Sequence, residues 1–398
     1  MKLSENAKKI QPSSTLIISA KAAQLKAEGK DIISFGVGEP DFDTPKHIQD
    51  AGISAIQSGQ TRYTPASGTV KLRQAVCDKL KNDNGLTYDV AEIVVSNGAK
   101  HSLMNAFMAI LNPGDEVIIP APYWLSYSEM VKIAGGVPVI VHTKKENQFM
   151  LVKEELDQAY TKNTKAVIVT SPSNPTGMVS TKDDLQMLAD FVVEKDIIMI
   201  SDEIYEKLIY DDDTKHISIA SLNEEIFKRT IVINGVSKSY AMTGWRIGYS
   251  AAPLAISKLI SSLQSHMTSN PNSIAQEATY TALTSSQQCI TDMCVEFKKR
   301  RDYIYAREEK IPMLSALKPQ GAFYLFIDVS GVYGKAYNGK TIQSAADLAT
   351  ILIEEKLVAV IPCADFGMGD YIRLSYATSM EAIEEGMNRI EALVKELS

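Results

Sequence analysis

Six short runs of apolar, largely β-branched residues recur between positions 92 and 233: Glu92-Ile-Val-Val95, Glu116-Val-Ile-Ile119, Val137-Pro-Val-Ile-Val141, Ala166-Val-Ile-Val-Thr170, Asp196-Ile-Ile-Met-Ile200 and Thr230-Ile-Val-Ile233. None of them alternates apolar with polar residues. A strand that is apolar on both sides must be covered on both faces, which is the condition of a mostly parallel sheet with helices crossing over it. The chain is therefore expected to be an α/β protein, with ligands gathering where the strands end at their carboxyl termini.

The pattern changes after about residue 284. A long charged helix is expected from Cys289 through Lys298-Lys-Arg-Arg301 to Lys310, then an antiparallel stretch and a terminal helix from Ser379. This divides the chain into a large domain over 46–284 and a smaller α+β domain built from 285–398, to which residues 1–45 return. At 398 residues the chain is long enough for two cores. Its 41 basic and 48 acidic residues leave a net charge of -7 with the signs interspersed, so neither nucleic acid nor a membrane surface is an expected partner. No window approaches a membrane span of about 18 apolar residues, and residues 1–30 are too charged for a signal peptide. Cys77, Cys289, Cys294 and Cys363 show neither paired spacing nor accompanying histidine clusters, so no metal site is expected and a reduced, cytoplasmic setting fits.

Each strand end carries a polar cluster. Lys238 lies in Ser237-Lys-Ser-Tyr-Ala-Met-Thr-Gly-Trp-Arg-Ile-Gly248, directly after the Thr230 run. An amine placed there, with a hydroxyl before it and an arginine eight residues on, suits a pyridoxal-phosphate Schiff base. Ser96-Asn-Gly-Ala-Lys-His-Ser-Leu103 opens a helix whose first amides can meet a phosphate, although alone such a turn is ordinary strand-to-helix punctuation. Pro122-Tyr-Trp124 puts two aromatics at a strand end, where they serve either a planar ligand or the core. Asn174, in Ser171-Pro-Ser-Asn-Pro-Thr-Gly177, can donate to a phenolate oxygen or simply shape a turn. Asp202, in Ser201-Asp-Glu-Ile-Tyr205, ends a buried strand as either a helix cap or the partner of a protonated ring nitrogen. Arg373, in Tyr371-Ile-Arg-Leu-Ser-Tyr376, offers a planar fork to a carboxylate or a surface ion pair.

Together with Phe35-Gly-Val-Gly-Glu-Pro-Asp-Phe-Asp-Thr-Pro45 and Arg62-Tyr-Thr-Pro-Ala-Ser-Gly68, these segments resemble the class I aminotransferases of pyridoxal-phosphate (PLP) fold type I over nearly the whole chain. Within that family the chain is most similar to the bacterial aspartate aminotransferases of the thermophilic-type subgroup. The resemblance implies Lys238 as Schiff-base lysine and proton shuttle, Asp202 on the pyridine nitrogen, and Tyr205 with Asn174 on the phenolate oxygen. It implies Tyr123 stacked on the ring, and the amides of Ala99 and Lys100 with Ser237 and Arg246 around the phosphate. Tyr63 would join them from the partner subunit of a homodimer with shared sites. Arg373, Asn174, Trp124 and the Gly38 backbone would surround an amino-acid or 2-oxo-acid substrate.

The animal and enteric aspartate enzymes take the distal carboxylate with a partner-subunit arginine. In this chain that register, before Ser269-Asn-Pro271, carries Ser265. The thermophilic-type subgroup is similar to this chain in placing a lysine in the phosphate loop, here Lys100, with Thr15 nearby; the expected reaction is L-aspartate with 2-oxoglutarate by ping-pong exchange. Broader use of aromatic or neutral amino acids, or of prephenate, stays open. A PLP carbon–sulfur β-lyase and a non-enzymatic regulator domain are the rivals; Lys100 and the motif set speak against the first, and the absence of a DNA-binding extension against the second.

Overall fold

The structure, a computed structural model, describes residues 2–8 and 10–398. A seven-stranded sheet runs in the order Ile93–Ser96, Gly248–Ala251, Thr230–Gly235, Ile198–Asp202, Thr164–Thr170, Glu116–Ala121, Val137–His142. All the pairings are parallel except those of Gly248–Ala251 with its two neighbours. The coverage expected from the six apolar runs is met in five of them, whereas Val137–His142 is an edge strand in which only Val141 is buried and Val137 is exposed. Val117 and Ile119 pack with Leu103 and Phe107 of the helix Ala99–Ile110. The intervening Ile118, with Val167 and Met199, packs with Leu185, Leu188 and Phe191 of the helix Lys182–Glu194. These strand residues are fully buried, and each such side chain contributes roughly 1.5–3 kcal/mol.

Two details differ from the sequence expectation. The run Asp196–Ile200 becomes a strand only at Ile198 and continues to Asp202, because Asp196 takes a left-handed φ of 49° where the preceding helix ends. The strand Gly248–Ala251, whose residues are Gly-Tyr-Ser-Ala, carries no apolar run and was not legible; its antiparallel pairing with Thr230–Gly235 folds the Lys238 segment back onto the sheet.

A second, antiparallel sheet has the order Ile361–Pro362, Tyr371–Ser375, Tyr324–Asp328, Ser315–Ala316. It is backed by Phe297 and Ile304 of the helix Gln288–Glu308 and by Ile383, Met387 and Ile390 of the helix Met380–Glu396. The early residues Ile33–Ser34 pair in parallel with Val358–Ala359 beside this sheet. Among the described residues no helix is long and apolar enough to cross a membrane.

Candidate active site

The neighbouring strands that end at Ala121, Thr170, Asp202 and Gly235 run the same way, and Ile93–Ser96, beyond the antiparallel Gly248–Ala251, runs that way too, so the loops after all five emerge along one sheet edge. With the antiparallel sheet opposite, they enclose a pocket of about 530 Å³, a size suited to a cofactor with a small substrate. The Asp202 carboxylate is buried at the end of its strand, paired in register with Thr170. It accepts from the Ile204 amide at 3.2 Å and from the Tyr127 hydroxyl at 2.6 Å, and makes no salt bridge among the described residues. Burial pushes its pKa up to about 6, against the downward pull of those two hydrogen bonds. A carboxylate in such a place is stabilised by a cation brought to it.

Lys238 stands after the neighbouring strand Thr230–Gly235, and its amine donates to the Gly38 carbonyl. Desolvation of the amine lowers its pKa to about 8, despite the favourable charge of Glu39 and with help from Arg373 and Arg246. An amine poised at that value is neutral often enough to act as a nucleophile.

One pole of the pocket is built for an anion. The amides of Ala99 and Lys100 open the helix Ala99–Ile110, where the first N–H groups lack partners within the helix. Gly98 (φ 89°) lets the Arg246 guanidinium lie directly over that helix end: a Cβ at Gly98 would come within 2.3 Å of Arg246 Nη2. Gly248 is equally constrained, since a Cβ there would meet the Ala99 amide at 2.2 Å. Arg246 itself holds a left-handed φ of 57° while donating to Thr243 O at 2.9 Å. A strained non-glycine backbone that aims a guanidinium at a helix terminus is the kind of local cost found at binding sites. Ser237, buried beside Lys238, lines the same pocket.

At the other pole Arg373 is almost wholly buried and has no carboxylate partner among the described residues. Its Nη1 donates to Asn174 Oδ1 at 2.8 Å, its plane lies 4.3 Å from the Tyr324 ring centroid, and its Nε has no acceptor. A buried guanidinium left so is costly unless an anion completes it. Tyr205 shares its hydroxyl with that of Tyr324 at 2.9 Å. The Lys100 amine sits 4.7 Å from the Trp124 ring centroid, its pKa lowered by partial desolvation and by the Arg246 charge. Thr15, its hydroxyl 2.8 Å from that of Ser13, lines the same pocket.

The pocket thus gathers Ala99, Lys100, Trp124, Asn174, Asp202, Tyr205, Ser237, Lys238, Arg246, Arg373, Gly38 and Thr15. Two of the expected residues are not brought there. Tyr123 faces away: its amide donates to Phe366 O at 3.0 Å, its ring lies so close to Gly367 that a Cβ there would meet it at 2.9 Å, and it lines an adjoining cavity instead. Of the aromatic pair only Trp124 lines the pocket. Tyr63 is 90% exposed and does not reach the pocket of its own chain. Sequence reasoning passed over Tyr127 and Tyr324. The first stands three residues after Trp124, a helical spacing that shares a face; the second sits in the aromatic run Phe323-Tyr-Leu-Phe326, which reads simply as core.

The family profile described as "Aminotransferase class I and II" matches residues 30–390. The chain belongs to the class I and II aminotransferases. Among aminotransferases of known name, it is 48% identical to an aspartate aminotransferase of Bacillus sp. (strain YM-2) over 99% of both chains. It is 44% identical to an aspartate/prephenate aminotransferase of Nitrosomonas europaea, covering 99% of this chain and 100% of that one. The solved structure of the Thermus thermophilus aspartate aminotransferase with maleate superposes with a TM-score of 0.93 at 40% identity, covering 99% of this chain and 100% of that one. The protein is therefore an aminotransferase enzyme of the α/β fold shared by those structures.

Proposed function

We propose that this aminotransferase exchanges the amino group between L-aspartate and 2-oxoglutarate, using PLP held at Lys238. The observation that carries the reading is the convergence in one pocket of a buried unpaired carboxylate (Asp202), a low-pKa amine (Lys238), an anion cradle at a helix terminus (Arg246 over Gly98) and a buried arginine without a carboxylate (Arg373). These parts match, in kind, a cofactor with a protonatable ring nitrogen, an aldehyde and a phosphate. The amides of Ala99 and Lys100 with Ser237 and Arg246 would hold the phosphate, Asp202 the ring nitrogen, and Asn174 and Tyr205 the ring oxygen. Trp124, rather than Tyr123, offers the aromatic face. When bound, the cofactor supplies an electron-withdrawing ring that acidifies the α-proton of an attached amino acid. Lys238 takes that proton on its Nζ and returns it, its low pKa matching the task. Arg373 takes the α-carboxylate in a planar fork and Asn174 fixes the arginine's orientation.

Aspartate as donor is supported by the names of the relatives and by Lys100, whose amine faces the pocket beside Trp124. Lys100→Ala should lower kcat/KM for aspartate about 5- to 150-fold, the worth of one charge-assisted bond of about 1–3 kcal/mol, while alanine as donor loses little. A donor panel against 2-oxoglutarate measures it, and equal losses for both donors would leave Lys100 a support of the phosphate loop. Prephenate use is a second reading, favoured by the name of the Nitrosomonas relative, and the same panel decides it with prephenate as acceptor.

A homodimer with shared sites is supported by the loop around Tyr63. That loop is rigidly held, with Gln264 Nε2 donating to Ala66 O and Gln276 Nε2 donating to Thr64 Oγ1 at 3.1 Å, yet it presents Tyr63 outward. Ile53, Ile56, Leu259 and Met267 are exposed on the helices Lys46–Gln57 and Leu254–Met267. Sedimentation should give a dimer, and mixing Tyr63→Phe with Lys238→Ala subunits should restore some activity to the pair; a fully active monomer would refute the shared site. A large domain over 46–284 and a small one over 285–398 with residues 1–45 is supported by the two separate sheets and by the pairing of Ile33–Ser34 with Val358–Ala359. A cytoplasmic location accords with four free cysteines.

A further inference from the structure

We infer that Tyr127, backed by Thr170, is the positioning residue that keeps Asp202 ionised and aimed into the pocket. The inference rests on the PLP reading above and adds to it the group that makes Asp202 usable.

Tyr127 lies in the helix Ser126–Ile133, on the turn whose start is fixed by its amide donating to Trp124 O at 2.9 Å. Its ring is buried and meets Trp124 edge-on at 5.4 Å. For packing alone, a phenylalanine would serve equally. The hydroxyl, however, reaches across the strand end to two groups: it donates to Asp202 Oδ2 at 2.6 Å and is hydrogen-bonded to Thr170 Oγ1. Thr170 and Asp202 are register partners on adjacent strands. The Thr170 hydroxyl therefore gives its proton to the phenol oxygen, and the phenol gives its own to the carboxylate. Asp202 Oδ1 is meanwhile tied to the Ile204 amide at 3.2 Å. With one bond on each oxygen, the carboxylate plane has a fixed orientation.

The electrostatics agree with this direction of donation. Burial and the adjacent carboxylate push the Tyr127 phenol well above its ordinary pKa, so it stays neutral and keeps its proton to donate. Asp202 in turn is drawn upward by burial and held back first by the Tyr127 bond. Without that bond the carboxyl would hold its proton to higher pH, and a protonated carboxyl lacks the charge that stabilises a protonated ring nitrogen. A charge-assisted hydrogen bond in a dry site is among the strong ones.

The test uses the full-length wild type and the variants Tyr127→Phe, Thr170→Val, Asp202→Asn and the double variant Tyr127→Phe/Asp202→Asn. PLP affinity is measured by absorbance titration, with kcat and KM for aspartate. Tyr127→Phe should weaken PLP binding and lower kcat, each by about 10-fold or more, with KM for aspartate changed less than about 3-fold; Thr170→Val should give a smaller loss in the same direction. In the Asp202→Asn background, Tyr127→Phe should cost less than about 2-fold further, because the two residues act through one another. Losses that simply multiply in the double variant, or a Tyr127→Phe protein with wild-type PLP affinity and kcat, would overturn the inference. A wild type that binds no PLP would overturn the cofactor reading and this inference with it.

Discussion

Lys238→Ala is expected to reduce turnover by about 10⁴-fold, because it removes the group proposed as both covalent anchor and proton carrier. The variant should still take up PLP noncovalently, because the Arg246 and Ser237 side chains and the helix terminus at Ala99 are untouched by the change. Borohydride reduction of the wild type followed by peptide mapping should place the pyridoxyl label on Lys238, and a label on any other lysine would remove the assignment. The pH dependence carries a second check. Desolvation holds the Lys238 amine at about 8 rather than the usual lysine value, so the neutral, reactive form accumulates as pH rises and is complete about one unit above that. Capture of PLP by the apoprotein should accelerate up to about pH 8–9 and then level; a rate still climbing toward 10.5 would mean an ordinary exposed amine.

Asp202→Asn should lower kcat by about 10²–10³-fold, the usual cost of removing one preorganised charge from a dry site. The substitution is isosteric, and the asparagine oxygen can still accept from the Ile204 amide while its NH2 donates to the Tyr127 oxygen, so the fold should stand. What disappears is the negative charge that the proposed function sets opposite the ring nitrogen. The loss should fall on kcat more than on KM for aspartate, since Arg373, Asn174 and Lys100 are unchanged. Steady-state kinetics at saturating PLP separate the two, and a kcat within about 3-fold of wild type would show that Asp202 does no electronic work.

These predictions rest on residues whose legibility in the sequence was uneven. The apolar runs from Glu92 to Ile233 determined six of the seven strands of the sheet, because a continuously buried strand admits few other folds. A parallel sheet in turn determined that the clusters around Asn174, Asp202 and Lys238 would share an edge. Arg373 was legible as a fork for a carboxylate, but not as the buried group that Asn174 orients, since those two residues are 199 positions apart and meet only when the antiparallel sheet closes over the pocket. The same closure decided that Trp124 enters the pocket while Tyr123 turns to Gly367, a choice that two adjacent aromatics cannot express in one dimension. Tyr127 and Thr170 were silent for a related reason: a tyrosine in a helix and a threonine in a strand both read as core until their hydroxyls are seen to converge on Asp202. Sequence alone therefore determined the fold and the chemical types on the strand ends, through local periodicity and residue chemistry. Tertiary structure decided the orientation and the protonation of the site, because both depend on burial and on hydrogen bonds between segments far apart in the chain.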